Sequence, residues 1–202
     1  MTHSLMEYIP TQRPTGGAGK YHGQIAAIYD AKRKDDPKRV LAKRIVEDML
    51  SDLPAGSWLL DCPCGTGRFL PFAEGKGLIY VGMDVSRDML MQAAAKVTNP
   101  QKVRLEQASI FALPREDKSV DASLMIDLTR WLMGDFGPDG IKQALLELQR
   151  VTRQRIILTA RVRNHKFAVT YELIESALEG WKIVRDEAGI DLDYRVIELR
   201  PS

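Results

Sequence analysis

Asp61, Gly65 and Gly67 have the most suggestive spacing in the chain, inside LLDCPCGTGRF at residues 59–69. An apolar run ends in an acid, and two glycines follow at what reads as a strand-to-helix turn. Glycines there let backbone approach a ligand closely and aim helix amides at it. The next apolar run, LIYVGMD, ends in Asp84, 17 residues after Gly67. An acid at that second tip suits the two hydroxyls of a ribose. Together the two tips describe a nucleoside site. The dinucleotide fingerprint G-x-G-x-x-G is absent, because no third glycine follows Gly67. An acid four residues before the glycine pair repels a pyrophosphate. It suits instead a cationic ligand carrying an ammonium and a sulfonium.

The elements that must hold these residues are legible in outline. SWLLDCPC, LIYVGMD, KVRLEQ, SVDASLMID and RIILTARV read as buried strands. Helical patterns separate most of them: residues 65–75 with Pro71 in the first turns, SRDMLMQAAAKV capped by Ser86, and GPDGIKQALLELQRVT after Pro138. A further helix is expected over Phe167 to Gly180. WKIVRDE and DYRVIEL read as an antiparallel pair joined by AGIDL. Upstream, Tyr21 to Lys34 is helical by spacing, and Asp36 before Pro37 opens a second helix ending near Pro54. Strand and helix in alternation predict an α/β, doubly wound, mainly parallel sheet. We expect a flexible N-terminal arm at 1–20 and a single domain at 21–202, divided into a helical cap (21–54) and a Rossmann-like core (55–202).

LLDCPCGTGRFL followed by YVGMDVSRDML resembles motif I and the next acidic loop of class I S-adenosylmethionine-dependent methyltransferases. ASIFALPREDKSVDASLMI resembles that superfamily's adenine loop and entry to the fourth strand. The resemblance runs over about residues 55–160 and is nearest in tone to small ubiquinone-biosynthesis-like methyltransferases. It implies a seven-stranded sheet with an antiparallel C-terminal hairpin, and S-adenosylmethionine as cofactor. It also implies roles. Asp61 would hold the methionine amino group, and Gly65 and Gly67 would pass beneath the methionine and ribose. Asp84 would bind the ribose diol. Val85, with Met89, would pack on adenine. Ser109 and the Ile110 amide would meet the adenine edge, and Ile126 would end the fourth strand beside the sulfonium. Tyr29 and Arg33 would close over the cofactor from the N-terminal helix. Pro63 stands where the family has its first glycine, and Ser109 where it often has an acid.

Acceptors in this architecture bind at the carboxyl ends of strands. Asp127 is therefore a candidate general base, with a helix N-cap as the equal alternative. Trp131 is a candidate stacking surface, although core packing is the commoner use of such a residue. The Asn/Asp-Pro-Pro-aromatic signature of nucleic-acid amino methylation is absent there. Arg150, Arg153, Arg155, Arg161, Arg163 and Lys166 lie between Glu147 and Glu172 with no intervening acid. Arg161, Arg163 and Lys166, with His165, are expected at the rim, where an anionic acceptor and a solvated basic face are equal readings. The basic run from Lys32 to Arg44 reads as a solvated face, and Met89, Met91 and Met125 as core filler.

The chain has 202 residues, 29 basic and 27 acidic, a balance that announces no nucleic-acid or membrane partner. Cys62 and Cys64 exclude a disulfide framework, and no metal site is expected. With no leader-like or membrane-spanning apolar run, a cytoplasmic location is expected. The expected function is methyl transfer to a small-molecule acceptor. A fold-retaining binding protein and an RNA-modifying enzyme are the alternatives, a nicotinamide enzyme is a poor fourth, and the oligomeric state is left open.

Overall fold

Alternation along each strand decides how the two faces of the sheet are filled. In the computed structural model, which describes residues 6–7, 20–189 and 191–202, Leu60, Val81, Met83, Ile156 and Leu158 enter one core. Their strand neighbours Leu59, Tyr80 and Ile157 enter the other. Both faces are apolar because helices cover both, as the near-continuous hydrophobic runs require.

In chain order the elements are β1 (Met6–Glu7), α1 (Gln24–Ala27), α2 (Tyr29–Arg33), α3 (Pro37–Met49), β2 (Trp58–Asp61), α4 (Leu70–Gly75), β3 (Ile79–Asp84), α5 (Arg87–Ala94) and β4 (Val103–Gln107). Then follow β5 (Val120–Met125), α6 (Thr129–Val151), β6 (Thr152–Arg161), α7 (Tyr171–Ala177), β7 (Trp181–Ala188) and β8 (Tyr194–Pro201). The sheet order is β1-β4-β3-β2-β5-β6-β8-β7. Strands from β1 through β6 run parallel, and β8 is antiparallel to both β6 and β7. The expected Rossmann-like α/β sheet is present, with seven long strands. The two-residue β1 adds an eighth at the β4 edge, too short to have a pattern. The chain winds outward from β2 through β3 and β4, then returns to build β5 and β6 on the other side. That reversal opens a crevice at the carboxyl ends of β2 and β5.

Local chemistry sets the element ends. Asp36 caps α3 by accepting from the Lys38 amide at 3.1 Å, with Pro37 in the first turn. Ser86 caps α5 by accepting from the Met89 amide at 3.3 Å. Two expectations are corrected. The helix expected over Phe167–Gly180 is shorter, because Thr170 caps it at the Leu173 amide. The helix expected after Pro138 continues a helical segment starting at Thr129, bent where Gly137 takes φ +66°. Met91 is exposed rather than core, whereas Met125 is fully buried. Of the arm expected at 1–20, all but Met6, Glu7 and Lys20 lies outside the described residues.

Asp121, near the start of β5, accepts from the Trp58 amide at 2.8 Å and ties β5 to β2. Among the described residues no helix is long and apolar enough to cross a membrane. No group of three or more His, Cys, Asp or Glu among them is placed to hold a metal ion.

Candidate functional site

The crevice is a cavity of about 440 Å³. Its floor is the turn leaving β2. Gly65 and Gly67 take φ +55° and +73°, a region that residues with a Cβ enter only at a cost. The Cys64 amide donates to the Met83 carbonyl at 2.8 Å, tying the turn to β3. A Cβ on Gly67 would stand 3.1 Å from the Ala93 Cβ of α5. Gly67→Ala is therefore expected to destabilise the fold by about 1–3 kcal/mol, read as a lower thermal midpoint.

Two buried carboxylates flank this turn. Asp84 accepts from the Gly65 amide and the Ser86 amide, both at 2.9 Å. Burial still pushes its pKa up to about 6, against those amides. Asp61 accepts from the Tyr80 hydroxyl at 2.7 Å, and burial raises its pKa to about 7. Between about pH 4 and 7 the folded state therefore holds protons on these groups that the unfolded chain has released. Their contribution to stability falls as pH rises through that window. Chemical denaturation of the ligand-free protein at pH 5 and pH 8 should show this decline, and Asp61→Asn should flatten it.

The tip of β3 and the loop after β4 supply the next wall. Val85, Ser109 and Ile110 line the cavity, as does Met89. Gln107 lines it too, donating from Nε2 to the Val85 carbonyl at 2.9 Å. Ser109 Oγ accepts from the Phe111 amide at 3.3 Å. Ile126 closes the tip of β5.

Beyond it, Asp127 takes φ +60°. Its carboxylate accepts from the Tyr194 hydroxyl at 2.6 Å and pairs with Arg68 at 3.2 Å. Burial opposes its ionisation, yet Arg68, the Tyr194 hydroxyl, Arg39 and Lys38 hold it below the usual carboxylate range. That makes it a weaker base than a free carboxylate. The N-cap alternative fails: Leu128 is the cap residue of α6 and no side chain caps it.

A canopy completes the cavity. The Ser86 hydroxyl donates to the Tyr21 carbonyl, and the Gly23 amide donates to Asp88 Oδ2 at 2.7 Å. Thr66 donates to Asp30 at 2.6 Å. These bonds hold α1 and α2 over the turn. Tyr21 meets Tyr29 and Trp131 edge to face, at 5.6 and 6.3 Å between ring centres.

Nine of the eleven expected site residues line one cavity: Tyr29, Asp61, Gly65, Asp84, Val85, Ser109, Ile110, Ile126 and Asp127. Gly67 supports it from beneath, buried against α5. Arg33 does not line it and is exposed, its guanidinium 5.2 Å from the Tyr29 ring centre. The residue that reaches the cavity from the basic run is Arg39, which corrects the reading of that run as wholly solvated.

The rim expectation is also corrected. Arg161 pairs with Asp191 and Arg163 with Asp193, both at 3.1 Å. Neither these arginines, His165 nor Lys166 lines the cavity. Arg150, Arg153 and Arg155 pair with Glu147, Asp121 and Asp52. Arg68, immediately after Gly67, and the rings of Phe111 and Phe136 are cavity residues that the sequence reading missed.

A doubly wound sheet with a glycine turn at its switch point and an acid on each neighbouring tip is the arrangement in which α/β proteins place a nucleoside site. Comparison with known proteins narrows this. Residues 60–158 match the family described as "Methyltransferase domain". A malonyl-[acyl-carrier protein] O-methyltransferase of Hamiltonella defensa is 36% identical over 97 residues, 48% of this chain and 34% of that protein. A U6 snRNA (guanine-N(2))-methyltransferase of Homo sapiens is 35% identical over 109 residues, 50% of this chain and 21% of that protein. The chain thus matches about a third and a fifth of the lengths of these relatives. Magnesium protoporphyrin IX methyltransferase from Synechocystis PCC 6803, solved with bound S-adenosylmethionine, superposes with a TM-score of 0.70 at 17% identity. That match covers 95% of this chain and all of the other. Residues 60–158 thus match a methyltransferase domain, and the chain has the fold of a methyltransferase solved with bound S-adenosylmethionine.

Proposed function

We propose that the protein transfers a methyl group from S-adenosylmethionine to a small-molecule acceptor. The observation that carries this is the pair of buried carboxylates, Asp61 and Asp84, either side of a left-handed glycine turn in one cavity. Water cannot solvate these two acids well, and their raised pKa values record the cost. A ligand that brings an ammonium and a diol meets both needs, so the donor set fits this cofactor.

In this reading Asp61 accepts from the methionine ammonium and Asp84 from the ribose diol. Gly65 and Gly67 keep side chains out of the path between them. Val85 and Met89 pack on one adenine face, and Ser109, Gln107 and the Ile110 amide meet its edge. Tyr29 and Tyr21 close the cavity and exclude water. When bound, the cofactor supplies a methyl group already activated on a sulfonium, so the chain needs chiefly to align the acceptor and keep the site dry. Asp127 holds Arg68 and Tyr194 in place at the β5 tip, and it orients an acceptor more readily than it removes a proton. Because Asp61 must be ionised to pair with an ammonium, cofactor affinity should rise as pH increases from about 5.5 to 8. Isothermal titration at those limits measures it, and Asp61→Asn should remove most of the dependence.

The small acceptor is supported by the neutralised rim: arginines already paired with Asp191 and Asp193 offer little to a polyanion. The test is transfer of labelled methyl from S-adenosylmethionine to a panel of small acids and amines and to total RNA. Label in small molecules, lost in Asp84→Ala, supports the proposal. Label confined to RNA would replace it with an RNA-modifying activity, and no label in any acceptor would count against catalysis.

A further inference from the structure

Arg155, Arg161, Arg163, Arg185 and Arg195 are each paired with an acid, whereas two guanidiniums inside the cavity share one carboxylate. Arg39, from the first turn of α3, and Arg68, from the glycine turn, both line that cavity. The Nε of Arg39 and the Nη1 of Arg68 are buried and have no hydrogen-bond partner. Burying an ionised donor without an acceptor is costly, and structures keep few such groups without a reason. The two guanidiniums also repel each other, and burial together with that repulsion lowers the pKa of Arg39.

One carboxylate serves both. Asp127 pairs with Arg68 through Nη2 at 3.2 Å and attracts Arg39 from farther away. Its other oxygen is taken by the Tyr194 hydroxyl. Asp61, Asp84 and Asp135 line the same cavity, so a dianionic phosphate would be repelled there more strongly than a monoanion. The surroundings are apolar rings: Tyr29 lies 5.0 Å from the Arg39 guanidinium, with Tyr21 and Trp131 beyond.

The position is on the acceptor side of the switch point. Asp127 follows β5, and Tyr194 belongs to β8, whereas the nucleoside-side residues Asp84, Val85, Gln107 and Ser109 belong to the tips of β3 and β4. From this geometry we propose that Arg39 and Arg68 hold the carboxylate of the methyl acceptor, an apolar or ring-bearing monocarboxylic acid. This rests on the methyltransferase reading above and adds to it the class of substrate. Arg–carboxylate pairing of this kind is directional and strengthened by the dry surroundings.

The experiment loads the protein with S-adenosylhomocysteine and titrates benzoate, 3-phenylpropionate, indole-3-acetate and decanoate, each against its neutral amide. At least one acid should bind the loaded wild type tenfold or more tightly than its amide. Arg39→Met should erase that difference while leaving S-adenosylhomocysteine affinity within about threefold. If no acid outbinds its amide on the loaded wild type, the proposal fails, whatever the variant does. If Arg39→Met weakens S-adenosylhomocysteine tenfold but leaves its descarboxy analogue unchanged, the pair serves the cofactor's own carboxylate and the acceptor assignment is overturned. Failure of the wild type to bind S-adenosylhomocysteine at all would instead strike the underlying methyltransferase reading.

Discussion

Asp84→Ala is expected to raise the dissociation constant of S-adenosylhomocysteine by at least a hundredfold. The carboxylate already accepts from the amides of Gly65 and Ser86 at 2.9 Å, which fixes both oxygens at the cavity wall. The account gives it two further hydrogen bonds, from the ribose hydroxyls. Hydrogen bonds to a charged group contribute about 1.5–3 kcal/mol each, and each 1.4 kcal/mol is tenfold in affinity. Losing both therefore costs at least two orders of magnitude. The alanine also releases the Gly65 amide and loosens the turn, which acts in the same direction. Asp84→Asn, which keeps one acceptor oxygen, should fall between wild type and alanine. Isothermal titration decides it. An alanine variant that stays folded and binds within threefold of wild type would mean that the ribose lies elsewhere.

Arg155→Met is expected to cost about 3–5 kcal/mol of stability without touching the site. Arg155 is buried at the start of β6, with Nη1 and Nη2 donating to Asp52 at 2.7 and 2.9 Å. It also donates to the Met49 carbonyl at the end of α3. Its second carboxylate is Glu198 of β8, fully buried and 3.7 Å away. Removing the guanidinium leaves Glu198 with only the half-exposed Arg200, at 2.7 Å. Breaking a buried pair by deleting one partner costs about 3–5 kcal/mol, or roughly 6–20 °C in the midpoint of a domain this size. The double variant Arg155→Met, Glu198→Met should recover most of that loss, since the unpaired charge is gone. A single variant within 2 °C of wild type would contradict this picture of the α3–sheet junction.

The sequence disclosed the site better where residues act within one turn of chain. Asp61, Gly65, Gly67 and Asp84 each sit at the end of an apolar run, and a strand's end is where its side chains meet a ligand. Arg39 was not legible in that way. Its place in the cavity depends on how α3 crosses the turn and on the Tyr29 ring from a different helix, and neither contact leaves a periodic trace. The rim arginines misled for a similar reason. Arg161 and Arg163 have no acid nearby in sequence, but the β7–β8 hairpin folds Asp191 and Asp193 back onto them some thirty residues later. The fold itself was readable because buried parallel strands announce themselves as apolar runs between glycines and caps. What went wrong there was local: Thr170 could be recognised as a cap only once its bond to the Leu173 amide was seen.

The central claim is that this cavity binds S-adenosylmethionine through Asp61 and Asp84. Thermal unfolding of the wild-type protein with S-adenosylmethionine, S-adenosylhomocysteine or NAD tests it most directly. Ligand at 100 times its dissociation constant adds about 2.7 kcal/mol, which is roughly 5–10 °C for a domain of this size. The account predicts that shift with both adenosyl sulfur ligands, none with NAD, and at most about 2 °C in Asp84→Ala at the same ligand concentration. No shift with either sulfur ligand at millimolar concentration, or an equal shift with NAD, would contradict it.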